Sequence, residues 1–204
     1  MNPPLIHDDF LLQTNEARTL YHDVAAGLPI IDYHCHLPPA DIADDVRWEN
    51  LAQVWLYGDH YKWRVMRTNG IPERYCTGEA TDREKFDKWA ATVPRTLRNQ
   101  LYHWTHLELA RTFGIDDRLL GPETAPGIWE ATCEQLADPA FSAQQLLKRC
   151  NVALVCTTDD PTDSLEAHRR AAADPACTTV MLPAWRPDKG MAVESPAAFN
   201  AWVD

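Results

Sequence analysis

The chain has 204 residues, of which 45% are hydrophobic and 24% charged, a composition typical of one large or two small folded domains. Its formal net charge of -11 repels phosphate backbones and argues against nucleic-acid binding as a main role. No run of about 18 apolar residues is present, so no membrane span is expected. The first nine residues lack the basic and apolar regions of a secretion signal, so we expect a cytoplasmic protein.

Two elements are predicted before residue 40. A helix begins at Asn15, which can cap it, and has Leu20 and Val24 one turn apart on one face. The short apolar run 30–33 that follows predicts a buried strand, which ends at a His-Cys-His triplet.

Residues from about 40 to 150 show helical spacing and no convincing strand. In the predicted helix 101–113, the apolar residues Leu101, Trp104, Leu107 and Ala110 follow in steps of three. His103 and His106 form a more polar row on the same helix and are interpreted as structural. The tryptophans of this region are expected to pack between helices: Trp48, Trp55, Trp89, Trp104 and Trp129. The predicted helices are 48–56, 59–68, 82–93, 101–113, 125–136 and 143–150.

After residue 150 the pattern changes to strand, helix, strand. Apolar runs at 152–156 and 178–182 predict two strands, each followed by a polar loop, with a helix at 163–173 between them. A last helix is expected from about Ser195. This order is typical of a parallel α/β sheet. It divides the chain into 1–39, a helical insert at 40–150, and 151–204. Three strands are too few to close a barrel, so we expect the N-terminal part of a longer protein.

The sharpest chemical signal is the pair His34 and His36. Side chains two apart on a strand point to one side, so both imidazoles can reach one metal ion at the strand's carboxyl end. Two ligands do not make a stable site, so others must come from elsewhere. A plain pair of histidines in a polar loop stays the alternative. Cys35 between them is expected to point into the core, and the six scattered cysteines, which include no C-x-x-C pair, favour free thiols.

At these residues the sequence resembles a known family. Residues 32–39 (DYHCHLPP) are similar to the start of uronate isomerases (glucuronate/galacturonate isomerases), members of the amidohydrolase superfamily. Further stretches resemble the same family, and together they extend across most of the chain: 58–64 (GDHYKWR), 66–70 (MRTNG), 102–109 (YHWTHLEL), 157–161 (TTDDP) and 185–188 (WRPD).

The resemblance implies the N-terminal portion of a distorted (β/α)8 barrel, with a large helical insert after the first strand. It also implies an aldose–ketose isomerase that interconverts D-glucuronate with D-fructuronate and D-galacturonate with D-tagaturonate. In that superfamily, later barrel strands supply further metal-site histidines and a catalytic aspartate, which this sequence does not contain.

The resemblance makes His34 and His36 ligands of a divalent metal ion. Zinc suits imidazole, and manganese fits a carboxylate-assisted site nearly as well. His60 and Tyr61 match a position beside the substrate and are assigned hydrogen bonding and proton relay. The alternative is an ordinary helix start with an exposed His60 and a packed Tyr61. Arg186 follows the third strand and is assigned the substrate carboxylate, or else a surface ion pair with Asp188.

Asp159 and Asp160 also follow a strand. Each could orient ligands or substrate, or cap the next helix; Asp159 is assigned to substrate binding, whereas helix capping is preferred for Asp160. Two rival functions stay open: a metal-dependent hydrolase of the same superfamily, which needs an activated water, and a catalytically incomplete fragment that only binds. Whether the protein forms a homo-oligomer is also open.

Overall fold

The computed structural model describes residues 5–204. Residues 1–4, part of the stretch assessed for a secretion signal, lie outside the described residues. Within the described part, no helix is both long enough and apolar enough to cross a membrane.

The described residues form a parallel sheet of three strands, in the order in which they occur in the sequence. The strands are β1 (Ile30–Asp32), β2 (Val152–Asp159) and β3 (Val180–Trp185). All three were predicted, but β2 and β3 continue three residues further than expected, because Thr157, Thr158 and Asp159 pair with residues 183–185. Threonine is a good strand former although it is polar, so a rule that ends strands at polar residues stops too early.

The N-terminal helix differs from its prediction. α1 (Asn15–Thr19) is capped by Thr14, whose side chain accepts from the Ala17 N–H, and the chain continues as a π-helix over Leu20–Ala25. Leu20 and Val24 are exposed, so the expected apolar face is not buried. The cap lies one residue earlier than predicted because Thr14 is extended while Asn15 is already helical.

Between β1 and β2 the described chain forms helices and 3₁₀ turns and no strand, as the spacing predicts. The predicted start at residue 48 is too early because Asn50 caps α3, accepting from the Gln53 N–H. α2 was not predicted and begins at Pro39, which is favoured in a first helical turn. The helices are α2 (Pro39–Ala43), α3 (Leu51–Leu56), α4 (His60–Thr68), α5 (Asp82–Thr92), α6 (Gln100–Phe113), α7 (Ala125–Leu136) and α8 (Ala143–Arg149), with short 3₁₀ turns at Glu73–Tyr75, Val93–Arg95 and Pro139–Phe141.

The buried row of α6 differs from the expected one. Leu101, Thr105, Leu109 and Phe113 are buried, a row in steps of four, whereas Trp104 is 54% exposed. A step of three falls about 60° short of a full turn and a step of four passes it by about 40°, so the row 101, 104, 107 and 110 drifts around the helix faster than the buried row.

In the described chain, three helices follow β2. They are α9 (Glu166–Ala173), α10 (Asp188–Met191) and α11 (Pro196–Val203), and Ser195 precedes the last one as expected. α9 begins three residues later than predicted, because Leu165 takes a left-handed conformation with φ of 53° immediately before it.

The described chain divides into two compact units. One unit contains the residues up to Ala26 together with residues 47–141, and the other contains residues 27–46 and 142–204. The first unit therefore holds α1 and α3–α7, with a core that includes Trp89 and Phe86. The second unit holds the whole sheet with α2 and α8–α11.

The two faces of the sheet differ. Val155, Met181 and Cys35 form one buried cluster with Ile42 of α2 and Ala171 of α9, so helices cover this face. The opposite face is open in the described chain.

The open face is defined by the strand register. Residues paired across a parallel sheet point the same way, so Ile31 and Val180, both paired with Leu154, share the face opposite Val155. Ile31 is 64% exposed and Val180 is 51% exposed. Parallel sheets are normally covered on both faces, so the open face is the unusual feature of this unit.

Candidate active site

His34 and His36 lie in the loop directly after β1. Their ring centroids are 5.0 Å apart with the planes at 84°, so the two imidazoles lie together as the two-residue spacing predicts. The strand itself ends at Asp32, whose carboxylate accepts from the His34 N–H at 3.3 Å. Sheet-like pairing with β2 continues between the two histidines, because the Cys35 N–H donates to the Cys156 carbonyl at 2.8 Å.

Cys35 points into the core, as expected. It is buried with Val155 and Met181, and burial raises the pKa of its thiol. A buried thiol with a raised pKa stays protonated at neutral pH, so Cys35 is a packing residue and not a nucleophile.

His36 is oriented by a residue of β2. Its Nδ1 lies 3.4 Å from the Thr158 hydroxyl oxygen, at the long end of the hydrogen-bond range. The other ring nitrogen, Nε2, is the one that this contact leaves for a metal ion. Among the described residues, no group of three or more His, Cys, Asp or Glu side chains is placed to hold a metal. Within the described residues, the two imidazoles therefore form a pair with no third His, Cys, Asp or Glu side chain beside them.

The Asp159 carboxylate does not join the two histidines. Strand alternation places Asp159 on the helix-covered face, opposite Thr158, and its side chain is buried. Its Oδ2 accepts from the Thr157 hydroxyl at 2.7 Å and lies 3.7 Å from His168 Nε2. The assignment of Asp159 to orienting ligands or substrate stays a prediction, and the structure places its carboxylate in a buried hydrogen bond on the helix-covered face.

Asp160 stabilises a turn and does not cap a helix. Its Oδ1 accepts from the N–H and hydroxyl of Thr162 and from the Trp202 indole N–H. These hydrogen bonds, those from Thr162 first, lower the pKa of Asp160 to about 2. The expected role as a helix cap is wrong because the next helix starts only at Glu166.

Arg186 lies just after β3, as predicted. Its backbone N–H donates to the Asp159 carbonyl at 2.9 Å, which ties the Arg186 loop to the end of β2. Its Nε donates to Asp188 Oδ2 at 2.7 Å, and the side chain is 47% exposed. The ion pair that was considered as the alternative is therefore present, on an arginine that solvent also reaches.

His60 and Tyr61 are the first two residues of α4, in the other compact unit. Their rings lie 4.3 Å apart and both side chains are exposed. Asp59 fixes this helix start: its Oδ1 accepts from the Tyr61 and Lys62 N–H groups, and its Oδ2 pairs with Lys62 Nζ at 2.5 Å. The sequence-based alternative expected a packed Tyr61, which the exposed ring does not match.

Three polar residues near the end of β2 were not singled out individually: Thr157, Thr158 and His168. The alternation of β2 could have placed Thr157 with Val155 on the buried face, and His168 precedes Ala171 by one turn of α9. Continuing the strand through the threonines would have revealed the set.

The comparisons with known proteins identify the family. A family model described as glucuronate isomerase matches residues 2–204. The chain belongs to this glucuronate isomerase family. It is 57% identical over 199 residues to a protein of Cellvibrio japonicus (strain Ueda107) named uronate isomerase, and the match covers 98% of this chain and 42% of that protein. The chain thus spans less than half the length of this relative.

Solved structures of similar fold carry related names. A uronate isomerase from Thermotoga maritima matches with a TM-score of 0.90 and 38% identity, over 97% of this chain and 43% of its own. A glucuronate isomerase from Caulobacter crescentus matches with a TM-score of 0.85 over 98% of this chain and 44% of its own. At 23% identity, the second likeness concerns the fold alone.

Proposed function

We propose that the protein containing this chain is an aldose–ketose isomerase acting on hexuronates. It would interconvert D-glucuronate with D-fructuronate and D-galacturonate with D-tagaturonate. The observation that carries the proposal is the family match over residues 2–204, together with 57% identity to a protein named uronate isomerase. Because the chain spans 42% of that relative, the activity is proposed for the whole protein.

We propose that β1, β2 and β3 are the first three strands of a distorted (β/α)8 barrel. Helices cover one face of the sheet, as they cover the outside of such a barrel. The opposite face, which exposes Ile31 and Val180, would be the barrel interior. His34 and His36 follow the carboxyl end of β1, where active sites of this architecture lie.

We propose that His34 and His36 hold a divalent metal ion, zinc by the preference of imidazole. Their adjacent rings fit part of such a site, and the remaining ligands would come from other strands of the barrel. When bound, the ion supplies a Lewis acid for the substrate's carbonyl and hydroxyl oxygens.

The reaction moves a proton from C2 to C1 through an enediol. His60 and Tyr61 are proposed to bind sugar oxygens and relay this proton, since an imidazole and a phenol can each accept and donate one. Their exposed rings and the rigid helix start provided by Asp59 support this role. Arg186 is proposed to bind the C6 carboxylate through its planar, permanently charged guanidinium.

The direct test is ketose formation. The whole protein that contains this chain is purified and incubated with D-glucuronate or D-galacturonate, first after chelator treatment and again after addition of Zn²⁺ or Mn²⁺. We expect a ketose from both substrates, and we expect His34→Ala and His36→Ala to abolish metal-dependent turnover. Absence of any ketose under all these conditions would refute the proposed function.

A further inference from the structure

Three buried polar side chains form a hydrogen-bonded set beneath the end of β2: Thr157, Asp159 and His168. The Thr157 hydroxyl lies 2.7 Å from Asp159 Oδ2 and 2.8 Å from His168 Nε2. All three residues are buried. We call them the β2 polar set.

The chemistry of the set gives each bond a direction. A carboxylate only accepts, so the single hydroxyl proton of Thr157 goes to Asp159. The Thr157 oxygen then accepts from His168, which must carry its proton on Nε2. Each member thus has a partner within the set, which a buried polar group needs, and the set holds β2 to α9.

Thr158 lies between two members of this set and points to the opposite face. Because strand side chains alternate, fixing Thr157 and Asp159 on the covered side fixes Thr158 on the open side. There its hydroxyl oxygen lies 3.4 Å from His36 Nδ1. A histidine that binds a metal through Nε2 carries its proton on Nδ1, where the Thr158 oxygen can accept it.

We propose that Thr158 is a positioning residue that sets the tautomer and orientation of His36, and that the β2 polar set holds Thr158 in place. This inference rests on the proposed role of His36 as a metal ligand. Thr158 would touch neither the metal nor the substrate, and it would act through the His36 ring alone.

The experiment compares Thr158→Val with Thr158→Ser. Valine keeps the branched shape but removes the oxygen, whereas serine keeps the hydroxyl. Zn²⁺ and Mn²⁺ dissociation constants of the purified protein are measured by competition with a chromophoric chelator. Loss of an outer hydrogen-bond partner weakens metal binding about 10- to 100-fold, so we expect that loss for valine and near wild-type binding for serine.

Two controls separate positioning from folding. Thr178→Val makes the same change at an exposed residue just before β3, and we expect unchanged metal binding. Thermal unfolding of the metal-free Thr158→Val protein should match the wild type, because the residue is not part of the buried set.

The outcomes distinguish this inference from the proposed function. Wild-type metal affinity in Thr158→Val would overturn the inference even if the protein isomerises uronates, and so would equal losses for valine and serine. A wild-type protein that binds no metal would also overturn it. Weaker binding for valine, rescued by serine, in a protein that forms no ketose would support the positioning role and refute the isomerase.

Discussion

His106 on α6 offers a stability prediction that follows from its hydrogen bonds. Its Nδ1 lies 2.7 Å from the Tyr102 carbonyl and therefore carries the proton, while Nε2 accepts from the Leu120 N–H at 3.0 Å. A second proton on Nε2 would face the Leu120 N–H and break that bond. His106 is thus held neutral, and burial lowers the pKa of its imidazole.

The magnitude of His106→Ala follows from what is lost. Two hydrogen bonds contribute about 1 kcal/mol each, and leaving the buried Leu120 N–H unpaired costs about 1–3 kcal/mol. These effects overlap, so we expect a loss of about 2–4 kcal/mol in the free energy of unfolding. His106→Gln, whose side-chain oxygen can replace Nε2 as acceptor, should recover part of it.

The pH dependence has a definite sign. Unfolding returns His106 to an ordinary pKa of about 6.5, so below that pH the unfolded chain binds more protons than the folded one. The stabilisation by neutral His106 is therefore complete above pH about 6.5 and decreases as the pH falls through the lowered folded value. His106→Gln cannot titrate, so the fall in stability between pH 7.5 and 5.5 should be smaller than in the wild type.

Urea unfolding of the purified protein at both pH values checks these expectations. His103→Ala is the matched control, since it removes a histidine ring from the same helix. The His103 ring packs edge-on against Phe10, with the two ring centroids 5.2 Å apart. A loss for His106→Ala no larger than that for His103→Ala, or a full wild-type pH dependence in His106→Gln, would refute the reasoning.

Three further predictions concern the sheet end and α4. Under the proposed role of Arg186, Arg186→Lys should lower kcat/KM for D-glucuronate about 10- to 100-fold, because the charge-assisted bond to the substrate carboxylate, worth about 1.5–3 kcal/mol, loses its paired geometry. Asp59→Ala should lower the free energy of unfolding by about 2–5 kcal/mol, since it removes a helix cap and leaves the buried Lys62 ammonium without its ion pair. Thr157→Val should lower it by about 2–4 kcal/mol in urea unfolding, because it removes the hydroxyl to which the buried Asp159 and His168 side chains are both hydrogen-bonded.

The first two of these have a matched control in the chain. Arg169→Lys changes an exposed arginine that pairs with Glu166 and should leave kcat/KM unchanged. Asn99→Ala removes the cap of α6 without touching a buried charge, so it should cost less than Asp59→Ala. Equal effects of a variant and its control would contradict the corresponding prediction.

The sequence predicts the strands well in their apolar centres and poorly at their ends. The apolar run before Thr157 identifies β2. The last three residues of the strand are polar, however, and only their pairing with β3 shows that the strand continues through them. That shift matters for function, because it decides which face each side chain takes. With β2 ending early, Asp159 is a loop residue free to face ligands, whereas with β2 ending at Asp159 its carboxylate is buried beneath α9.

Helix prediction shows the same division between local and tertiary information. The spacing correctly predicts α6, because the recurrence of apolar residues every three or four positions is a local property of the sequence. Which row becomes buried depends on neighbours far along the chain, and the step of three selected Trp104 where Leu109 is buried instead. His106, placed by sequence in a polar row, is buried because the Leu120 N–H pairs with it from 14 residues away.

The H-x-H motif shows how a site can be positioned by the residue that takes no part in its chemistry. Both histidines follow the last residue of β1, so their adjacency depends on the strand-like pairing with β2 that continues at Cys35. Cys35 is anchored between them: its N–H bonds to the Cys156 carbonyl, and its thiol packs beside Val155 and Met181. An anchored middle residue leaves its two neighbours to project together away from the core, 5.0 Å apart. A small apolar side chain at this position is therefore a requirement of the core, and the metal-binding geometry proposed for the histidines is its consequence.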